Sequence, residues 1–355
     1  MIIKAIKYFP LTFLLFCNIS FVFAQNNDEI QEKSAFSWNI LTNTFLDNQE
    51  FARSSYIKDR TFGGVNFVPQ GGLKFGKGHS IFAGLNLLKE FGTQQVIDRA
   101  TPIIFYKNET FSRNDCIQSF RAGIFPRETH FSNFSDLLFW QPLTNYMPVI
   151  QGLFYQIRRK NNFANVWIDW TGKPSTTDNE SFYAGLSGRA TFKSYFVDFQ
   201  GYYFHFANTE PKDPDFKLCD NGQALLRVGY DFEDKLVDFQ ISAGVMAGYE
   251  NERGVDNQKF MPFGFVANAR FEISRFGVDN WFYAGDKRLQ LYAKHGERLY
   301  CANPFLQGNF YLQSEIYWKI FDSKAVASKI GMLAQVSESK LMFEQRFLLS
   351  IFLSK

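Results

Sequence analysis

Apolar and polar side chains alternate along most of this sequence with a period of two residues, which is the period of a β-strand with two different faces. In the stretch ANVWIDWTG, residues 164–172, one face of an extended strand is apolar: Val166, Ile168 and Trp170. The opposite face carries polar groups beside one ring: Asn165, Trp167 and Asp169. The alternation recurs in about sixteen segments, many of them longer than the five or six residues usual for soluble strands.

Alternation also occurs in soluble β-sandwiches, so the connections between the segments have to decide the fold class. Tight connections, such as residues 76–78, 160–162 and 322–324, mostly alternate with long ones, such as 47–62, 128–148 and 285–308. Short turns at one end and long loops at the other are typical of a transmembrane barrel, whose closed sheet satisfies every backbone polar group in hydrocarbon. The sequence predicts an all-β, antiparallel, up-and-down transmembrane β-barrel with short periplasmic turns and long outer loops.

The N-terminus has the composition of an export signal. Lys4 and Lys7 precede an almost wholly apolar run, residues 9–23, and Ala24 provides a small residue before Gln25. Residues 1–24 are predicted to be a cleaved signal peptide, and residues 25–34 a short periplasmic N-terminal segment. Residues 35–355 are predicted to form the barrel, located in the bacterial outer membrane.

The chain resembles the general porins of bacterial outer membranes, and the resemblance is one of architecture only. It implies passive diffusion of small hydrophilic solutes, contact with membrane lipid and the outer-membrane assembly machinery, and a possible homo-oligomer. In porins the third outer loop folds inward, so the apolar residues of the loop at 128–148 form a possible constriction: Phe131, Phe134, Leu138 and Trp140. Porins commonly end on an aromatic residue, whereas here Leu353, Ser354 and Lys355 follow Phe352.

The polar faces of the segments carry charged residues of both signs, which we predict to line the lumen. They are Arg121, Asp169, Arg189, Asp198, Arg227, Asp238, Arg270, Glu272, Glu315, Lys319, Glu344 and Arg346. One interpretation is a hydrated pore whose mixed charges filter solutes. The other is a wall of internal salt bridges that supports a narrow barrel. Inner rings such as Trp167 and Tyr183 leave saccharides open as a solute class.

The remaining chemistry suggested by the composition is sparse. A net charge of +3 over 355 residues gives no nucleic-acid surface. Cys219 and Cys301 fall in predicted outer loops, where they form either a disulfide or two thiols. No cluster of His and Cys predicts a metal or a cofactor. No acid or Ser spacing around the four His indicates a catalytic triad, so the sequence predicts that the protein is not an enzyme.

The function predicted from the sequence is a porin-like channel. The alternative is a non-enzymatic outer-membrane barrel with a closed lumen, used for surface-polysaccharide export and assembly or for adhesion. A soluble, secreted β-protein is the third interpretation.

Overall fold

The computed structural model describes residues 35–355 apart from 53, 112–114, 128–133, 141–144, 208–216, 235, 255–258 and 293–300. The predicted signal peptide and the segment at 25–34 lie outside the described residues. The strands are β1 Ala35–Glu50, β2 Arg60–Phe75, β3 His79–Glu90, β4 Arg99–Phe111, β5 Cys116–Pro126, β6 Val149–Arg159, β7 Asn162–Gly172, β8 Ser181–Phe192, β9 Tyr195–Phe206, β10 Cys219–Glu233, β11 Val237–Glu252, β12 Lys259–Phe260, β13 Phe263–Ile273, β14 Phe276–Gly285, β15 Phe310–Asp322, β16 Val326–Ser337 and β17 Lys340–Ser354.

The strands form one closed antiparallel sheet in which each strand pairs with its sequence neighbours. Pairing of β1 with β17, with Thr44 opposite Leu349, closes the cylinder. The segments β12 and β13 both pair with β11 and are separated only by Met261 and Pro262, so together they count as one strand of the wall. The wall therefore has sixteen strands. Proline has no N–H to donate, but the carbonyl of Pro262 still accepts from the Gly248 N–H at 2.8 Å. The predicted fold class is confirmed.

The distribution of apolar side chains is the reverse of that in a soluble protein. On β7, Val166 and Trp170 are 38% and 46% exposed, whereas Trp167 and Asp169 between them are 3% and 1% exposed. Large exposed apolar side chains cover the outside of the other strands in the same way. Hydrocarbon can cover such a surface and water cannot, so the soluble interpretation is wrong and the barrel is transmembrane.

The two ends of the barrel differ in the length of their connections. At one end the strands reverse over a few residues, and Lys160, Lys193 and Ser274 take the left-handed φ values of 52°, 55° and 57° that tight turns require. The opposite end carries the longer connections, including the loops at 127–148 and 286–309. The end with the tight turns corresponds to the periplasmic side of outer-membrane barrels. No α-helix among the described residues is long and apolar enough to span a membrane.

Candidate functional site

The predicted lumen residues lie on the inner wall, and most of them form ion pairs with residues on neighbouring strands. Asp198 on β9 is shared by two arginines: Arg189 Nη2 lies 2.9 Å and Arg227 Nη2 2.7 Å from its Oδ2. The Arg227 guanidinium also lies 4.8 Å from the ring centroid of Trp281. These buried partners fix the arginine side chains against the wall.

Further pairs connect the remaining predicted positions. Arg270 pairs with Asp238 at 2.8 Å, Lys319 with Glu272 at 2.6 Å, and Lys329 with Glu315 at 2.8 Å. Arg121 lies 6.0 Å from the ring centroid of Phe105. The side chains of Arg270 and Lys319 are 38% and 31% exposed, so water reaches this part of the lumen.

Asp169 lies on the inner face, as the alternation predicted, but the sequence did not reveal that its ion-pair partner is Arg127. Arg127 follows the end of β5, where the alternation stops, and is 4% exposed. Its guanidinium donates to Asp169, to the Met147 carbonyl at 2.6 Å and to the Val149 carbonyl at 2.9 Å. The second oxygen of Asp169 accepts from the Gln151 N–H at 2.8 Å. One buried ion pair therefore joins the outer loop at 127–148 to β6 and β7.

Glu344 and Arg346 on β17 form a second network with the same loop. Glu344 is fully buried and accepts from Gln335 Nε2 at 2.7 Å. Arg346 contacts Glu344 and lies 3.3 Å from Asp136 of the loop and 3.9 Å from Asp47 on β1. Sequence reasoning missed Asp47 and Asp136. Because three carboxylates surround one guanidinium, Arg346 joins β1, β17 and the loop.

Residues 134–140 of the loop at 127–148 fold into the lumen and form one half of what we term the plug. Leu138 and Trp140 are fully buried. The backbone N–H of Trp140 donates to the Cys301 carbonyl at 2.7 Å, and the backbone N–H of Ser135 donates to Gln200 Oε1 at 2.8 Å. The ring of Phe134 meets that of Trp167 edge-on at 6.1 Å. Phe131 of the predicted constriction lies outside the described residues.

Residues 288–292 and 301–307 of the loop at 286–309 form the other half of the plug. Arg288 is fully buried and donates to Gln223 Oε1 at 2.7 Å and to the Met246 carbonyl at 2.9 Å. Phe305 meets Phe51 edge-on at 5.1 Å and Trp140 at 6.4 Å. The plug therefore forms one hydrophobic core with the inner wall and is also held there by hydrogen bonds to inner-wall residues.

The plug covers the rings that the sequence offered for stacking on saccharides. Trp167 and Tyr183 are each 3% exposed. Phe139 lies against both, with ring centroids 5.8 Å and 6.2 Å away. A sugar could stack on these rings only after Phe139 had moved.

The two cysteines considered for a disulfide remain thiols, so the bridged alternative is wrong. Cys219 is not in an outer loop as predicted but is the first residue of β10, where it is fully buried. The thiol of Cys301 lies 3.3 Å from the Tyr183 hydroxyl and 3.4 Å from Met147 Sδ. Burial raises the pKa of the Cys301 thiol. The two thiols therefore lie at different places, that of Cys301 beside Tyr183 and Met147 and that of Cys219 at the start of β10.

A polar cluster on the outer wall contains chemistry that the sequence reasoning missed. His205 and Asp220 face each other on β9 and β10, at the ends of these strands that meet the long loop. His205 lies on the same face as Val197 and Phe199, which are 46% and 39% exposed. The cluster therefore lies at the outer rim of the lipid-facing wall.

The cluster has the geometry of an oriented general base. His205 Nδ1 lies 2.8 Å from Asp220 Oδ1, so Nδ1–H donates to the carboxylate, which leaves Nε2 as the acceptor in the neutral imidazole. The Tyr203 hydroxyl donates to the same oxygen at 2.6 Å, and Arg253 Nε donates to Asp220 Oδ2 at 2.8 Å. The Asp220 side chain is 2% exposed and that of His205 is 18% exposed. The carboxylate is thus fixed while the imidazole reaches the surface.

A glycine leaves space beside this cluster. Gly222 follows Asp220 by two residues on the same face of β10, and a Cβ at this position would meet the Tyr202 carbonyl and the side chains of Tyr203 and Tyr249 at ordinary van der Waals distances of 3.7–3.8 Å. The two tyrosines therefore flank a notch beside the buried carboxylate. Among the described residues, no group of His, Cys, Asp or Glu is arranged to hold a metal ion.

Comparison with known proteins identifies the family to which this chain belongs. The model of the lipid A 3'-O-deacylase-type family matches residues 27–354. The chain belongs to this family. The search of curated proteins found no match.

Solved structures share the fold of this family member. They include an anion-selective porin from Comamonas acidovorans, with a TM-score of 0.54, 10% identity and coverage of 90% of this chain and 100% of the other. A loop-deletion mutant of OmpT, an outer-membrane protein of Vibrio cholerae, has a TM-score of 0.53, 10% identity and coverage of 90% and 99%. The protein is therefore an outer-membrane β-barrel of bacterial type.

The family membership corrects one prediction made from the sequence. The prediction that the protein is not an enzyme is wrong, because the matched family is a deacylase-type enzyme family. The spacing of residues along the sequence does not reveal the His205–Asp220 pair, because the two residues lie on different strands. Only the strand register brings them together.

Proposed function

We propose that this protein is an outer-membrane acyl-ester hydrolase that acts on lipid A at the outer rim of its lipid-facing wall. The match to the lipid A 3'-O-deacylase-type family supports the reaction class. The observation that carries the proposal is the hydrogen-bonded His205–Asp220 pair, because it places a base where the ester groups of an outer-leaflet lipid lie.

In the proposed reaction His205 acts as the general base. Its Nε2 takes a proton from water while the water oxygen attacks the ester carbonyl carbon. The C–O bond to the sugar oxygen then breaks, and that oxygen takes the proton from the imidazolium. The products are a carboxylic acid and a lipid with one free hydroxyl. Asp220 holds the imidazole in the required tautomer and stabilises its cationic form.

The neighbours of the pair fit a phosphorylated glycolipid. Arg253 is 53% exposed on its side chain while its Nε remains bonded to Asp220, so the remaining guanidinium N–H groups can meet a phosphate. The notch left by Gly222 between Tyr203 and Tyr249 provides space for an acyl chain that descends along the wall.

The test is the incubation of purified protein with lipid A in mixed detergent micelles, followed by mass spectrometry of the lipid. We expect the loss of one ester-linked acyl chain. His205→Asn should slow this loss by about 10²–10⁴-fold, as removal of a general base does. His79→Asn is the matched control, because it makes the same substitution at a hydrogen-bonded histidine, with Nδ1 2.6 Å from the Tyr106 hydroxyl, at the periplasmic end. Equal deacylation by wild type and His205→Asn would disprove the assignment of the base.

Passive diffusion of small hydrophilic solutes is the second candidate. The partly exposed charges of Arg270 and Lys319 support a hydrated lumen, while the buried rings of Trp140 and Phe305 favour the closed-lumen alternative. We infer that solutes would pass only when the plug moves. We also propose export with cleavage before Gln25, which N-terminal sequencing of the mature protein tests.

A further inference from the structure

The lipid-facing wall formed by β8 to β15 contains an apolar groove with a volume of about 820 Å³. Its floor consists of small side chains on neighbouring strands, among them Ala243 and Ala269. Its sides are larger, including Phe192, Tyr195 and Phe282. The volume lies within the range of small-molecule sites, roughly 300–1,000 Å³.

The position of the groove along the barrel identifies the leaflet that it faces. Phe192 and Tyr195 flank the tight turn between β8 and β9 at the periplasmic end. Ala243 lies near the middle of β11, Val237–Glu252. The groove therefore extends from the bilayer centre to the periplasmic surface, on the opposite half of the wall from His205 and Asp220.

The turns at the periplasmic end of β6 to β9 carry cations, and one of them adjoins the groove. Lys160 and Lys193 are exposed in the turns between β6 and β7 and between β8 and β9, and Arg159 is exposed next to Lys160. Lys193 Nζ lies 5.7 Å from the ring centroid of Phe192, which lines one side of the groove. Asp234, in the turn after β10, carries the opposite sign. The charge on the β6 to β9 side is complementary to a phosphate at the membrane surface.

We propose that this groove binds one anionic glycerophospholipid of the periplasmic leaflet. One acyl chain fills the space above Ala243 and Ala269, and the phosphate lies near Lys160 and Lys193. The alanines let the chain approach the backbone, where it gains contacts that a wall of large side chains would exclude. This site is independent of the hydrolase reaction proposed above.

The test is native mass spectrometry of the purified protein in mild detergent with equal amounts of phosphatidylglycerol and phosphatidylcholine that carry the same acyl chains. Wild type should retain one lipid and prefer phosphatidylglycerol. Ala243→Phe combined with Ala269→Phe should lower retention about tenfold, because two rings fill the groove. Ala83→Phe is the matched control, since Ala83 is exposed on β3, outside the strands that form the groove.

A second variant tests the headgroup separately from the chain. Lys160→Gln with Lys193→Gln should keep the retained lipid but remove the preference for phosphatidylglycerol. Wild-type protein without retained lipid, or equal retention by the groove variant, would overturn the proposal. A dimer that the groove variant loses would also overturn it, because a second copy of the chain would then occupy the groove.

Discussion

Replacement of Trp140 by alanine should open the lumen. Trp140 is fully buried and contacts Phe305 in the other half of the plug and Phe51, the residue that follows β1, with ring centroids 6.4 Å away in each case. Truncation of a buried Trp to Ala costs about 3–5 kcal/mol. Trp140 takes no part in the strand pairing of the wall, so we expect the loss to fall mainly on the closed position of the plug.

The expected effect follows from this energy. Each 1.4 kcal/mol changes an equilibrium about tenfold, so Trp140→Ala should shift the plug toward open states by about 100-fold to 4,000-fold. Conductance of single proteins in a planar bilayer measures the shift directly. Wild type should conduct rarely, in brief steps, and the variant should stay open for a far larger fraction of the time.

The matched control is Trp170→Ala. Trp170 is 46% exposed on the outer wall, so this substitution removes the same side chain without changing the plug. Its conductance should equal that of wild type. Electrophoretic mobility without heating shows that each variant has formed its barrel. If the Trp140→Ala barrel is folded and its conductance is unchanged, the plug does not control passage and the argument fails.

Two further predictions concern ion pairs and titration. Arg127→Ala strands the buried carboxylate of Asp169 and should lower the free energy of unfolding in vesicles by about 3–5 kcal/mol, and a urea titration with no shift would contradict this. The Tyr56 hydroxyl donates to Glu338 in the outer turn between β16 and β17, and this bond holds the pKa of Glu338 below its ordinary 4.5. The contact therefore stabilises the fold above pH 4.5, and this stabilisation is lost as the pH falls through the lowered pKa. Tyr56→Phe should raise the Glu338 pKa toward 4.5 in a carboxyl-carbon NMR titration, and an unchanged titration would show that the bond has no effect.

Much of the barrel could be predicted because the side chains of a strand alternate by simple geometry. The positions of Val166 outside and Asp169 inside follow from that alternation and from the cost of a charge in hydrocarbon. The difference in loop lengths was equally visible in the sequence. Both are local properties, which neighbouring residues determine without reference to the rest of the chain.

The order of the residues was enough to predict the closed sheet, its two faces and its two ends. The folded chain was needed to see that Arg127 pairs with Asp169, that Trp140 contacts Phe305 inside the lumen, and that His205 bonds Asp220 on the outer wall. These contacts join different strands and loops, so they depend on the register between strands and on the path of the outer loops. Neither quantity leaves a periodic signal in the order of the residues.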